Sequence, residues 1–173
     1  STALNRWGEL NFGSTATASN LQYCLMSRSG HSPSRGGHIP GSGGAMFMVN
    51  GTTLTIDDSV MADGVGKTMA NSGNADITIR RSHIGRFTMG PELGDSAILM
   101  EDSNITDMLQ IYRERGTQDD EDCLYIHSSG GRPVMLRRSV FARCDDDALD
   151  LLAGSLTVED CIIRNAFDKG VSM

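Results

Sequence analysis

The sequence has few aromatic residues, almost no lysine and no long apolar run, and each shortage argues against a class of protein. Aromatic residues are only 5% of the chain, which leaves little surface for stacking on sugar rings. Lysine occurs only at Lys67 and Lys169, so nearly all the positive charge is arginine. A net charge of −7 argues against nucleic acid or an anionic membrane as the partner. No apolar run approaches the ~18 residues of a membrane span.

The four cysteines do not have the paired spacing of a zinc site. A disulfide between Cys123 and Cys144 and buried free thiols are both compatible with their positions. The chain is rich in glycine, at 20 residues, together with Ser, Thr, Asn and Asp. That composition favours many short strands and turns over long helices, and 173 residues are enough for one domain with a substantial core.

An internal repeat decides the predicted fold. Five segments share the pattern apolar, any, apolar, two charged, Ser or Cys, any, apolar, and they recur about every 22 residues with one insertion. They are LTIDDSVM from Leu54, ITIRRSHI from Ile77, ILMEDSNI from Ile98, VMLRRSVF from Val134 and LTVEDCII from Leu156. A second column of apolar segments comprises LNF from Leu10, MFM from Met46, KTM from Lys67, FTM from Phe87, LYI from Leu124, LDL from Leu149 and VSM from Val171.

Two short strands per repeat, separated by Gly, Asn and Asp, predict an all-β fold in which each repeat forms one coil of a right-handed parallel β-helix. A propeller blade is longer, and ankyrin and tetratricopeptide units contain helices that this pattern lacks. The prediction is a single solenoid domain over residues 1–173, with about six coils and loop insertions at residues 27–45 and 106–122. The two insertions would wall the surface of the coils between them, where a binding groove is expected.

The repeat resembles that of the pectate-lyase-like β-helix superfamily, and the segment NAFDKGVSM at the end of the chain resembles coils of large bacterial extracellular proteins. The resemblance implies a bacterial extracellular or cell-surface module that binds polysaccharide or serves as a scaffold. As an alternative, it implies a lyase or hydrolase acting on uronate-containing polysaccharide. The chain stops partway through a coil, so we expect end-to-end association or a longer solenoid.

The charged pair of the repeat alternates in sign from copy to copy: Asp57/Asp58, Arg80/Arg81, Glu101/Asp102, Arg137/Arg138 and Glu159/Asp160. Stacked coils would set acid over base, which opposes slips in register. The next position is occupied by Ser59, Ser82, Ser103, Ser139 and Cys161. We expect this column to form a ladder of hydrogen bonds to the backbone, so both columns indicate architecture.

Acidic residues gather at the turn before three successive second-column strands. Aligning DCLYIH, DALDLL and KGVSM stacks Tyr125, Asp150 and Ser172 as outward residues. Carboxylates at the preceding turns, gathered from adjacent coils, are the hard oxygen ligands that Ca²⁺ requires. We therefore expect a calcium site formed by Glu121, Asp122, Asp146, Asp147 and Asp168. Aspartate also opens turns and caps exposed amides, so a purely structural role stays open.

The enzyme alternative has its own candidates among these residues. Superfamily lyases use Ca²⁺ to neutralise a uronate carboxylate while an arginine or lysine removes a proton. Lys169 beside Asp168, or Arg143 beside Asp145, could supply that base. Neighbouring acids should raise their pKa values, however, which is the opposite of what a base requires.

A hydrolase would instead use two carboxylates, and Asp150 could pair with Asp147 or Asp122 if the carboxyls lay about 6.5–9.5 Å apart, as in inverting enzymes. The Gly-His-Gly and Arg-Ile-Lys motifs of the superfamily's hydrolases are missing from the sequence. The catalytic candidates are thus Asp147, Asp150 and Lys169, and the substrate-binding candidates are Tyr112, Arg113, Tyr125 and Asp150.

Overall fold

The computed structural model describes residues 6–30, 45–71, 73–109 and 121–173. These ranges contain β-strands and no helix. In chain order the first strands are β1 (Leu10–Phe12), β2 (Ser19–Gln22), β3 (Leu25–Ser27), β4 (Ala45–Val49), β5 (Thr53–Asp57), β6 (Val60–Ala62), β7 (Lys67–Ala70), β8 (Asp76–Arg80), β9 (His83–Phe87) and β10 (Met89–Gly94). The rest are β11 (Ala97–Glu101), β12 (Asn104–Met108), β13 (Leu124–Ser128), β14 (Val134–Arg137), β15 (Val140–Cys144), β16 (Leu149–Leu151), β17 (Leu156–Glu159), β18 (Ile162–Ala166) and β19 (Val171–Ser172). Among the described residues there is no helix with the length and apolar character to cross a membrane.

The strands form three sheets, and within each sheet a strand pairs with the strands three places before and after it in the chain. Sheet I has the order β1-β4-β7-β10-β13-β16-β19, sheet II is β2-β5-β8-β11-β14-β17, and sheet III is β3-β6-β9-β12-β15-β18. All pairings between successive strands are parallel, so three strands make one coil and the next coil stacks on it. The predicted parallel β-helix is confirmed, with six three-stranded coils and β19 beginning a seventh.

The prediction of two strands per coil was wrong, because each coil has three. The eight-residue segment that recurs, such as LTIDDSVM, itself contains two strands and the bend between them. In the first copy β5 ends at Asp57 and β6 begins at Val60. The second charged residue of all five copies sits in this bend with a φ between 46° and 53°. Non-glycine residues rarely adopt this left-handed conformation, and the apolar pattern of the sequence does not reveal it.

A second correction concerns the register of sheet I. The segment FTM from Phe87 was predicted as one strand, but Phe87 ends β9 and the sheet I strand of that coil is β10, Met89–Gly94. This shift places Glu92 beside Tyr125 of the next coil. The second insertion also starts later than predicted, because β12 continues through Met108.

The core lies inside the triangular coil and is built from alternate strand residues. In β5 the side chains of Leu54 and Ile56 are fully buried, and the same alternation recurs in β8 and β11. In coil six the apolar side chains are less covered, since Val158 is 40% exposed and Ile162 is 55% exposed. The packed core therefore positions the bends of coils two to five most firmly.

Candidate functional site

The bends between sheets II and III carry the alternating charges, and we call this region the paired corner. Asp57 aligns with Arg80, and Glu101 aligns with both Arg80 and Arg137 on its two sides. One position further, the Arg81 Nε and Nη2 atoms donate to the two Asp58 carboxylate oxygens at 2.7 and 2.9 Å. This pairing holds the pKa of Asp58 below its usual value. The predicted stacking of acid over base is confirmed, and the charges of the paired corner neutralise one another.

The serine column forms the predicted ladder beside these charges. Ser82 Oγ donates to the Arg80 carbonyl at 2.7 Å and accepts the Ser59 amide at 3.1 Å. The Ser82 amide in turn donates to Ser103 Oγ at 3.0 Å. At the N-terminal end the ladder continues to the amide of Cys24, which donates to Ser59 Oγ at 3.1 Å. Each hydroxyl therefore donates to a carbonyl of its own coil and accepts an amide of the preceding coil.

A further charge ladder, which the sequence reasoning missed, lies near the ends of the sheet III strands. Arg86 donates to Asp63 at 2.5 and 2.9 Å, and Arg143 donates to Asp107 with both bonds at 2.5 Å. All four residues have positive φ. The hydrogen bond to Asp107 raises the pKa of Arg143, which makes Arg143 unsuited to act as a base. The signal in the sequence was a constant spacing of five residues from the second charged residue in the first four repeat copies.

Carboxylates collect at the bend between sheets III and I, as predicted. We call this region the acidic corner and define it as Glu121, Asp122, Asp145, Asp146, Asp147 and Asp168. The Asp147 amide donates to Asp122 Oδ1 at 3.0 Å, and the Lys169 amide donates to Asp147 Oδ1 at 2.8 Å. Each of these carboxylates thus caps the backbone of the following coil, which is the structural role that the sequence left open.

Three of the six acids of the acidic corner are buried, whereas Asp168 is exposed. Glu121 and Asp122 are each 1% exposed and Asp147 is 4% exposed. One carboxylate oxygen from each of Asp146, Asp147 and Asp168 can be chosen so that all three lie within 4.8 Å of one another. Asp122 Oδ2 is buried and has no hydrogen-bond partner among the described residues.

Burial raises the pKa of Asp122 to about 8, and the negative charge of Asp146 is the next cause. Asp150 and Asp147 add smaller repulsions of the same sign. With no cation bound, Asp122 therefore holds a proton at neutral pH, because a second buried negative charge is unfavourable there. A divalent cation would offset both causes of the shift by attracting the ionised carboxylate.

Lys169 forms ion pairs with two acids of the acidic corner. Its Nζ contacts Asp168 and lies 3.6 Å from Asp147 Oδ1. The hydrogen bond to Asp168 and the charge of Asp147 raise the pKa of Lys169, as the sequence led us to expect. Lys169 is therefore a poor proton acceptor near neutral pH.

A disulfide joins the two ends of coil five directly at the acidic corner. Cys123 follows Asp122, Cys144 precedes Asp145, and the two Cα atoms are 5.6 Å apart. Both half-cystines are buried. Among the alternatives that the sequence allowed, this pair is bonded, whereas Cys24 and Cys161 are free thiols and are partly exposed.

The outer face of sheet I beside the acidic corner carries a second polar group of residues. Lys67 Nζ contacts Glu92 Oε2, and both side chains are 1% exposed. Glu92 Oε1 lies 2.7 Å from His127 Nε2, and the His127 ring meets the Tyr125 ring edge-on at 4.5 Å. The sequence reasoning missed Lys67, Glu92 and His127 because the misplaced strand at Phe87 removed Glu92 from the row.

The register aligns Glu92 with Tyr125, Tyr125 with Asp150, and Asp150 with Ser172, so the predicted stacking of this row is confirmed and extended. Tyr125 is only 4% exposed, whereas Asp150 is partly exposed and interacts electrostatically with Asp122. The predicted substrate-binding residues Tyr112 and Arg113, and most of both insertions, lie outside the described residues.

Comparison of the chain with models of protein families, with curated proteins and with solved structures finds no match. The resemblance to pectate-lyase-like proteins therefore rests on the repeat and on the parallel β-helix, which show fold and not activity. The function must be argued from the acidic corner and from the neighbouring face of sheet I.

Proposed function

We propose that the chain is a calcium-binding parallel β-helix module of an extracellular protein, in which the acidic corner holds the cation and a polysaccharide binds through that cation. The observation that carries the proposal is the buried Asp122 carboxylate, whose Oδ2 has no hydrogen-bond partner among the described residues and faces further carboxylates. A buried acid among acids is stable only when a proton or a cation neutralises it.

The size of the acidic corner suits calcium. Calcium binds six to eight oxygens at about 2.3–2.6 Å, so two oxygens on opposite sides of one ion lie about 5 Å apart. The Asp146, Asp147 and Asp168 oxygens within 4.8 Å of one another match that span. Asp122 Oδ2 and the neighbouring Glu121 would complete a set drawn from three successive bends.

The capping role of these carboxylates is compatible with binding. Asp122 uses Oδ1 for the Asp147 amide, which leaves Oδ2 for a ligand. Asp147 likewise uses Oδ1 for the Lys169 amide. The hydrogen bonds therefore fix the carboxylates in place before an ion arrives, which reduces the cost of ordering them on binding.

Two features support the extracellular and polysaccharide parts of the proposal. Disulfides such as Cys123–Cys144 persist mainly in oxidising compartments outside the cytosol. A calcium ion at the acidic corner would also reduce the local negative charge, so that a uronate carboxylate could complete its coordination. Without the ion, an acidic polymer would be repelled by this corner.

Isothermal titration calorimetry with calcium tests the cation site. The double variant Asp146→Asn/Asp168→Asn removes two charges, whereas the backbone carbonyl of Asp146 keeps its bonds to Phe167 and Asp168. We expect its calcium affinity to fall by at least about tenfold. The matched control is Asp160→Asn, an exposed acid at the paired corner, which should bind calcium as the wild type does. Equal affinity in all three proteins, or no binding by the wild type, contradicts the site.

Retention on an immobilised uronate polysaccharide, with calcium or with a chelator, tests the second half of the proposal. Retention that requires calcium and yields no shorter chains supports binding. The alternative is an enzyme that cleaves the polysaccharide. The observation that favours it is the Glu92–His127 contact at 2.7 Å, because a carboxylate commonly orients a histidine that transfers protons. New reducing ends in the eluate would favour that lyase or hydrolase. Calcium binding with neither retention nor cleavage would leave a calcium-stabilised scaffold.

A further inference from the structure

We propose that the Cys123–Cys144 disulfide is a positioning element of the acidic corner, so that its reduction lowers calcium affinity while the coils remain folded. The inference rests on the proposed calcium site and adds a redox control to it. It follows from where the disulfide lies in the chain, since each half-cystine is the immediate neighbour of a residue of the acidic corner.

The disulfide holds together the two chain segments that carry the carboxylates of coil five. Asp122 lies on the segment before β13, and Asp145 to Asp147 lie on the segment after β15. The Cys123 amide donates to the Asp147 carbonyl at 3.1 Å, next to the Asp147 amide bond to Asp122. The covalent bond and these two hydrogen bonds therefore fix the same pair of segments.

The segment before β13 packs tightly against Gly90 of coil four. The Gly90 amide donates to the Asp122 carbonyl at 2.9 Å. A Cβ atom on Gly90 would lie 1.8 Å from the Cys123 carbonyl oxygen, so only glycine permits this approach. The position of Asp122 is thus set from below by Gly90 and from above by the disulfide and Asp147.

Electrostatics explains why a covalent link matters at this corner. At the paired corner, attraction between arginine and carboxylate keeps adjacent bends together. At the acidic corner, the charge of Asp146 disfavours ionisation of Asp122 in the adjacent bend, so these bends repel when both carboxylates are charged and no cation is bound. The disulfide opposes that repulsion and keeps the oxygens at the spacing that a cation requires, so binding need not gather them.

The chemical step is ordinary thiol–disulfide exchange with a low-molecular-weight dithiol as the reductant. One dithiol sulfur attacks a protein sulfur and displaces the other half-cystine as a thiolate. The second dithiol sulfur then displaces the first half-cystine, so the products are two protein thiols and one cyclic disulfide. The protein gains two electrons and two protons from the reductant.

The variant that tests the proposal is Cys123→Ala/Cys144→Ala. We expect the calcium Kd to rise by about 10-fold or more, as when other groups that orient metal ligands are removed. The Asp147 and Lys169 amides should also exchange hydrogen faster, whereas the Ser82 amide at the paired corner should not change. The double variant Cys24→Ser/Cys161→Ser, which removes the two free thiols, should keep wild-type affinity.

Leu54→Ala controls for the effect of general destabilisation on calcium affinity. It creates a cavity in coil two, away from the acidic corner. This variant should lose stability without losing calcium affinity. If the alanine pair does not fold, the wild-type protein is reduced with the dithiol while circular dichroism follows the fold and a calcium dye follows release. Thiol alkylation and mass spectrometry then report the extent of reduction.

A folded alanine pair, or a fully reduced and folded wild-type protein, that binds calcium with wild-type affinity overturns the positioning role alone. A wild-type protein that shows no calcium affinity overturns the proposed function and this inference together. Weaker binding with unchanged exchange at Asp147 and Lys169 also contradicts the proposal, because positioning must act through those bends.

Discussion

The paired corner and the acidic corner use the same stacking of bends with opposite electrostatic results. At the paired corner acid and base alternate, and Arg81 lies 2.7 Å from Asp58. At the acidic corner carboxylates follow one another from coil to coil, and Asp122 is 1% exposed. A repeat can therefore neutralise its own charge, which leaves nothing for a ligand, or concentrate one sign of charge, which calls for a proton or a cation.

The largest expected effect concerns the pH dependence of stability at the acidic corner. The pKa of Asp122 rises from 3.8 to about 8 on folding, so between these values the folded state binds more protons than the unfolded state. The free energy of unfolding of the calcium-free protein should fall, by a contribution on the order of a few kcal/mol, as the pH rises from about 4 to about 8. Urea unfolding in the presence of a chelator measures it.

Asp122→Asn provides the reference for this prediction, because the amide oxygen can still accept the Asp147 N–H. Its stability should lack this pH-dependent contribution, and saturating calcium should flatten the wild-type profile as well. If the two proteins lose stability in parallel over this range without calcium, Asp122 does not carry the buried charge.

An intermediate effect is expected in the serine ladder at the paired corner. Ser82→Ala removes the acceptor of the buried Ser59 amide and should destabilise the protein by about 1–3 kcal/mol, as urea unfolding would measure. Ser82→Cys is the matched control, because Cys161 occupies the same column and its Sγ donates to the Glu159 carbonyl at 3.3 Å. The cysteine variant should lose less, and an alanine variant as stable as the wild type would show that the ladder is dispensable.

The smallest effect is expected from the exposed charges of the paired corner. Arg81→Asp would stack three acids in three adjacent coils, since Asp58 lies in the coil before Arg81 and Asp102 in the coil after it. Arg81→Asn is the appropriate comparison, because both new residues tolerate the φ of 46° and differ mainly in charge. The aspartate variant should have the lower melting temperature, and the gap should shrink in 1 M salt. A gap that is unaffected by salt would mean that charge is not the cause.

The sequence was sufficient to predict the stacking but not the path of the chain between stacked positions. Recurring apolar and charged positions predicted that Asp57 lies beside Arg80 and that Asp122 lies beside Asp147, and both are found. The third sheet was missed because the chain bends through Asp58, inside what the repeat pattern presents as one segment. A left-handed residue that is not glycine carries no clear mark in a single sequence.

The chemistry of the site was harder to predict because it depends on burial. The sequence correctly grouped Asp122, Asp146, Asp147 and Asp168 but could not show that Asp122 is almost fully buried while Asp168 is exposed. Burial depends on how the neighbouring coils and insertions pack around a residue. The network of Lys67, Glu92 and His127 was missed for a different reason, since an error of two residues in one strand was enough to hide it.

The positive φ positions near both ends of the sheet III strands have a consequence for how a solenoid of this kind can change in length. Coil two carries acids at both positions, Asp58 and Asp63, and coil three carries bases at both, Arg81 and Arg86. Removing or duplicating a single coil would bring two coils of the same sign into contact. Two coils, one of each sign, are therefore the smallest unit by which such a chain can be lengthened or shortened without losing its pairing.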